Sequence, residues 1–213
     1  MSRLYDKYRD DEYVNLRDMY EPGYKIRNEK LKSGYNYVSK IEDFLKPYIN
    51  VSSDLSILDW GGDTGINTPF LLQSEAVYIY DISNKPVSGK AIRINKEELK
   101  SHYDLIVCSN VLEHIPFPKK TLNEILTTMS TNSILYIELP YENAVRISEA
   151  ENNLSELYKS KRHWHEHINF FNTTSIEKML KQSGFDILKL NKMSISGETT
   201  DQVFQIVCKR SEN

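Results

Sequence analysis

The chain has 213 residues and a net charge of −3, enough for one substantial α/β domain and too short for two comfortable ones. The balanced charge gives no electrostatic case for a nucleic-acid backbone as partner, and no dense Lys/Arg stripe is visible. The longest apolar runs are about five to seven residues, against roughly 20 for a membrane-spanning helix. The N-terminal "MSRLYDKYRDDEY" lacks the apolar core of a secretion signal. Cys108 and Cys208 each sit inside an apolar run, which predicts a reduced, cytoplasmic protein with two inert core thiols.

In chain order, the first 25 residues are polar, tyrosine-rich and weakly periodic, and "YEPGY" (20–24) is a Pro-Gly turn that sets them apart. From Ile26 to Tyr48, apolar or aromatic residues at Leu31, Tyr35, Val38, Ile41 and Leu45 recur every three or four positions. That spacing predicts one amphipathic helix ending near Pro47. Short apolar runs then alternate with helical segments. Strands are predicted at 55–59, 76–81, 90–94, 103–109 and 132–140, with a helix over "KKTLNEILTTM" whose face is Leu122, Ile125, Leu126 and Met129.

Continuous apolar strands alternating with helices indicate a parallel sheet covered on both faces. "TTSIEKMLKQSGF" is a further helix, with Thr174 and Glu177 as an expected capping box and Gly184 as its stop. The last two runs, 185–195 and 201–210, lie close enough, around Gly197, to pair as an antiparallel hairpin. The predicted fold is a Rossmann-like doubly wound sheet, mostly parallel, with a C-terminal antiparallel β-hairpin. Residues 1–50 form an N-terminal helical lid and 51–213 the ligand-binding domain.

"SILDWGGDTG" (56–65) carries an acid, Asp59, to the tip of an apolar strand and then turns through Gly61, Gly62 and Gly65. Glycines there let backbone approach a ligand closely, and the carboxyl ends of such strands are where ligands bind. The next strand-end acid, Asp81, follows 22 residues later, a distance suited to the two hydroxyls of a ribose. The glycine spacing is not G-x-G-x-x-G, and Asp59 would repel a pyrophosphate, so a dinucleotide fits poorly. A ligand with positive charge and a ribose fits better, and S-adenosylmethionine carries an ammonium, a sulfonium and a ribose.

"ILDWGGDTG" resembles the first motif of class I S-adenosylmethionine-dependent methyltransferases, and "VYIYD" resembles their second-strand acid. "YDLIVCSNVLEHIPFPKKTLNEI" is similar to the fourth-strand segment of the subgroup that includes the ubiquinone-pathway methyltransferases. "HEHINFFNTTSIEKMLKQSGF" is similar to bacterial enzymes associated with cell-surface sugars and small metabolites. The resemblance implies S-adenosylmethionine as cofactor. Asp59, Gly61, Gly62 and Gly65 would line its methionine end, and Asp81 would hold the ribose. Residues 95–99 would border the adenine, with Ser109 and Asn110 under the sulfonium and Glu113 and His114 following. Asp63 stands where many relatives have glycine; it tolerates a left-handed backbone, and its side chain is expected to cap a following helix.

An acceptor hydroxyl must lose a proton, so a general base is expected. Three of five histidines alternate in "KRHWHEHINFF", placing His163, His165 and His167 on one side of an extended segment. His165 or His167 is the expected base. A metal at the alternating run is a second reading, set aside for want of an accompanying carboxylate set; a third is that His167 and Asn169 simply anchor the chain before the capped helix. Tyr13, Tyr20, Tyr24 and Tyr35 suit a lid, and Tyr141 and Glu142 suit an acceptor pocket. The implied partner is a small polar acceptor, most readily a sugar, sugar nucleotide or cell-surface precursor methylated on oxygen. The oligomeric state is left open. A non-catalytic cofactor-binding scaffold or sensor, a small-amine N-methyltransferase and an NAD-linked sugar epimerase or reductase are the rival readings. The last predicts a Tyr-x-x-x-Lys pair after strand four, where none occurs. An Asn-Pro-Pro-Tyr motif, typical of nucleobase N-methylation, is also absent there, where "SNVLEH" stands.

Overall fold

The computed structural model of the chain describes residues 10–142, 167–195 and 202–212. Helices α1 (Asp11–Tyr20), α2 (Tyr24–Lys32) and α3 (Val38–Leu45) precede the sheet. The strands are β1 (Ser56–Trp60), β2 (Ala76–Tyr80), β3 (Ile92–Ile94), β4 (Leu105–Ser109), β5 (Ile134–Tyr141), β6 (Phe185–Ser194) and β7 (Gln202–Arg210). Helix α4 (Pro118–Leu126) joins β4 to β5, and α5 (Thr173–Gln182) leads into β6.

The seven strands run in the order β3-β2-β1-β4-β5-β7-β6. The first five are parallel, and β7 pairs antiparallel with both β5 and β6. The chain leaves β1 toward β2 and β3 and returns on its other side as β4, so the switch point of a doubly wound sheet lies between β1 and β4. All five βα-type strands and the terminal hairpin stand where the apolar runs put them. The turn expected around Gly197 lies outside the described residues.

Each face of the sheet buries its own cluster. On one face, Ile57, Ile79, Leu105, Val107, Tyr136 and Val207 meet Tyr37, Ile41 and Leu45 of the α3 region. On the other, Leu58, Trp60, Ile106, Ile137, Phe204 and Ile206 meet Leu122 and Ile125 of α4 and Ile176 and Leu180 of α5. Cys108 and Cys208 are fully buried and unpaired, and burial pushes both thiols up, as inert core residues should be.

Four local expectations change. The helix expected over 26–48 is two helices, because Gly34 at φ +82° takes the chain out of the right-handed region between them. Helix α1 forms in the polar N-terminal stretch, capped by Asp10, whose side chain accepts from Tyr13 N–H at 2.7 Å. Its buried residues are only Val14 and Arg17, which is why no apolar period marks it. Helix α5 is capped by Asn172 in a reciprocal pair with Ser175, two residues before the expected Thr174 and Glu177. Between β1 and β2 the chain runs through successive turns rather than a helix, so Asp63 has no helix to cap.

Phe204 is fully buried at the centre of the hairpin core, whereas Leu188 is 39% exposed on the outer strand. Phe204→Ala is expected to lower the unfolding free energy by about 3–5 kcal/mol. Leu188→Ala should change it by no more than ~0.5 kcal/mol. Urea denaturation of both variants checks the assignment of β7 as an interior strand.

Candidate functional site

The carboxyl ends of β1, β2 and β4 come together at the switch point, and steric crowding decides which residues can stand there. A Cβ on Gly61 would collide with the side chain of Val111, in the turn after β4. One on Gly62 would lie 2.6 Å from Asp59 Oδ2, and one on Gly65 2.7 Å from Ile79 Cδ1. The turn can therefore pack against its own strand, against β2 and against the β4 turn only without side chains.

Asp59 is 4% exposed, and its Oδ2 accepts from Thr68 Oγ1 at 2.5 Å beneath this turn. Burial raises its pKa to about 7, against the Thr68 hydrogen bond that lowers it, with nearby Asp81 adding to the rise. Asp81 holds the loop as well as facing it: one carboxylate oxygen accepts from Asp63 N–H at 2.9 Å, the other from Ser83 N–H at 2.6 Å. A carboxylate offers about four acceptor positions, so two remain for a ligand's hydroxyls.

Asp63 stands at φ +50°, the left-handed backbone its residue type tolerates. In place of the helix cap, its side chain accepts from Ser83 Oγ at 2.9 Å and pairs with Lys85 at 3.2 Å. Arg93 donates to the carbonyls of Asp63 and Lys85, at 2.5 and 2.7 Å, and ties β3 to the same loops. Asn95–Leu99 follows β3 as a short 3-10 turn closed by a reciprocal Asn95–Glu98 capping pair. A cavity of about 530 Å³ borders this turn on the α4 side, lined by Trp60, Lys96, Leu99, Lys100 and Glu124. It does not reach the acids at the strand tips.

Ser109 and Asn110 end β4, with Asn110 at φ +54° and its N–H donating to the Glu138 carbonyl at 2.9 Å. Beneath them lies a group the sequence reading missed. Glu138, on β5, is fully buried, and its Oε1 accepts from Tyr37 OH (2.9 Å), Asn110 Nδ2 (3.2 Å) and Ser109 Oγ (3.3 Å). Its Oε2 accepts from Tyr136 OH at 2.8 Å. Burial pushes its pKa up while these four donors hold it down. One acid inside the otherwise apolar "ILYIELP" was the available signal.

Beyond β4 and β5, His167 Nδ1 lies 2.6 Å from Glu142 Oε1, just after β5. The segment carrying His167 is pinned to the turn after β4. Ile168 and Asn169 N–H both donate to the Glu113 carbonyl, and Asn169 Nδ2 donates to the carbonyls of Leu112 and Ile115. Asn169 is thus the anchor that the sequence suggested, and it brings the His167 ring edge-on to His114, 4.8 Å between centroids. Glu113 is 2% exposed, and neither carboxylate oxygen has a hydrogen-bond partner among the described residues; burial, the main cause, raises its pKa to about 8. One ligating atom each from Glu113, His114 and His167 lies within 4.8 Å of the others, a set that could hold a cation. His163 and His165 lie outside the described residues.

The lid tyrosines divide. Tyr13 and Tyr24 pack edge to face, with Arg17 over Tyr24 at 4.3 Å and donating to Tyr13 OH, so they hold α1 to α2. Tyr20 is 74% exposed. Tyr35 stacks on Tyr37 at 4.9 Å, and its N–H donates to Asn67 Oδ1 in the loop after β1. Tyr141 is 7% exposed and packs on Phe204 at 4.6 Å at the end of β5.

No curated protein matches the chain in sequence. Solved structures match its fold. A Burkholderia thailandensis 1,6-didemethyltoxoflavin N1-methyltransferase, solved with its substrate and S-adenosylhomocysteine, superposes with a TM-score of 0.63 at 13% identity, covering 94% of this chain and 90% of that one. The magnesium protoporphyrin IX methyltransferase of Synechocystis, solved with S-adenosylhomocysteine, gives 0.61 at 16% identity and covers 99% of both chains. A family model described as a methyltransferase domain matches residues 26–190. With the glycine turn, the two strand-end acids and the seven-stranded sheet ending in an antiparallel hairpin, the chain belongs to the class I S-adenosylmethionine-dependent methyltransferases.

Proposed function

We propose that this methyltransferase acts on an oxygen of a small polar acceptor, with His167 as general base. The observation that carries the reading is the 2.6 Å His167–Glu142 pair, held by Asn169 beside the turn that follows Ser109 and Asn110. His165, two residues earlier in the alternating run, is the companion candidate. A sugar, a sugar nucleotide or another cell-surface precursor is the favoured acceptor class, supported by the likeness of the "HEHINFF" segment to enzymes of that kind.

The residues at the switch point fit the cofactor: a turn with no room for a Cβ at Gly61, Gly62 or Gly65, one acid below it and one beside it with acceptor positions to spare. When bound, S-adenosylmethionine supplies an electrophilic methyl group on a sulfonium and a neutral thioether leaving group. The chain's part is to place, to exclude water and to move one proton. Positioning alone accounts for about 7–11 kcal/mol of barrier in such reactions. The glycine turn and Asp59 would hold the methionine end, Asp81 would take the ribose hydroxyls, and Asn95–Leu99 would flank the base. With Nδ1–H donated to Glu142, His167 would take at Nε2 the proton that the acceptor hydroxyl must lose. Glu142 then stabilises the imidazolium.

Three measurements test the site. Asp81→Ala should weaken S-adenosylhomocysteine binding by ~1–3 kcal/mol through lost charge-assisted hydrogen bonds; calorimetric titration with unchanged affinity removes Asp81 from the site. His167→Ala is expected to lower turnover by ~10²–10⁴ with cofactor affinity kept. Normal turnover in both the His165→Ala and His167→Ala enzymes makes the histidine run structural.

Asp59 adds a pH dependence. Its pKa is raised from 3.8 to about 7, so the folded chain holds its proton where the unfolded chain has lost it, and its contribution to stability declines as pH rises through that window. A bound ammonium group favours the ionised form, so product affinity should increase as pH rises through about 7. Asp59→Asn should flatten that slope, and a slope that survives the substitution places the ammonium elsewhere.

A further inference from the structure

Ser109, Glu138, Gln205 and Asn191 are register partners on four consecutive strands, β4, β5, β7 and β6. They form a polar row across a sheet face that is otherwise apolar, flanked by Val107, Tyr136 and Val207. Hydrogen bonds run along it: Asn191 Nδ2 to Gln205 Oε1 at 3.1 Å, Gln205 Nε2 to Tyr136 OH at 3.3 Å, Tyr136 OH to Glu138 Oε2 at 2.8 Å. The row ends at the site, where Glu138 Oε1 takes the side chains of Ser109 and Asn110.

The third donor to that oxygen is Tyr37 OH, at 2.9 Å and 101 residues earlier in the chain. It is the shortest of the three contacts on Oε1. Tyr37 is itself buried, immediately before α3, with its ring stacked on Tyr35. An apolar residue at position 138 would pack on this face without desolvating a charge, so stability does not account for the carboxylate. Orientation does. Asn110 stands at φ +54°, in the left-handed region that Asn enters more readily than most residues, and Glu138 holds it there at two points, through its carbonyl and its carboxylate.

We propose that Tyr37 and Glu138 are positioning residues for methyl transfer: the Tyr37 hydroxyl fixes the Glu138 carboxylate, which in turn sets Ser109 and Asn110 against the methionine half of the cofactor. The inference rests on the reading that places Ser109 and Asn110 there. The N-terminal helices thereby belong to the cofactor site through one hydroxyl, whether or not they ever move as a lid.

The test is S-adenosylhomocysteine titration of the full chain, with thermal unfolding alongside. Tyr37→Phe and Glu138→Gln should each weaken binding roughly tenfold or more, as expected for a hydrogen bond to a charged group. The double variant should lose little beyond the larger single loss, because both act through one network. Phe44→Leu, which alters packing beside Tyr136 on the same face, should lower the unfolding temperature and leave affinity unchanged. If Asn110→Ala weakens binding while Tyr37→Phe and Glu138→Gln do not, the positioning role is overturned and the site reading survives. If Asn110→Ala leaves affinity unchanged, the placement of Asn110 fails and the inference falls with it. Should Glu138→Gln not fold, Tyr37→Phe alone decides, since it removes one hydroxyl and keeps the stacked ring.

Discussion

The site depends on how closely three pieces of backbone approach one another at the tips of β1, β2 and β4. Gly61 N–H donates to the Tyr80 carbonyl at 2.7 Å, and Asp63 N–H donates to Asp81 at 2.9 Å, so the turn after β1 is bonded to the end of β2. Val111 and Ile79 occupy the space where side chains on Gly61 and Gly65 would be. Close packing of this kind is all-or-none: adding one methyl forces backbone or core to shift. The absence of a helix after β1 follows from the same crowding. The loop's donors and acceptors are spent on neighbouring loops, with Asp63 tied to Ser83 and Lys85, and Arg93 bracing two carbonyls from β3.

The site has two halves with different chemistry. The half proposed to take the cofactor is built from backbone and carboxylates on the parallel strands, where a positively charged ligand would meet acids. The half proposed to take the acceptor is built from side chains after β4 and β5, with Asn169 stitching a later segment onto the turn at Leu112–Ile115. Glu138 lies between them, beneath Asn110 and one strand over from it.

Most of the sheet was legible because strands buried on both faces read as unbroken apolar runs, and the acids Asp59 and Asp81 stood out against them. The order of the last two strands was not, since a hairpin signal is local and says nothing of β7 slipping between β5 and β6. Helix α1 lies within the expected helical lid but its bounds could not be read, because its buried face is one valine and one arginine, and the break at Gly34 was masked by an apolar period that continued across it. Glu138 escaped for the opposite reason: a single acid in a strong strand looks like noise until Tyr37, 101 residues away, is folded onto it. Local pattern carries the elements, and long-range hydrogen bonds carry the site. His167 was legible as a residue type, and its partner Glu142 as a pocket candidate, but their pairing belonged to the fold.

The two rims of the sheet differ in what they offer a neighbouring chain. The β3 rim is three residues long. Among the described residues the other rim is β6, ten residues long, and an open edge of that length invites strand addition and, from there, fibrillar aggregation. Its pairing with β7 slips between Ile187 and Lys189, and exposed Lys189 and Lys192 stand along it. A kinked, lysine-studded rim is a poor template for another copy, so the hairpin that closes the fold also guards its open side.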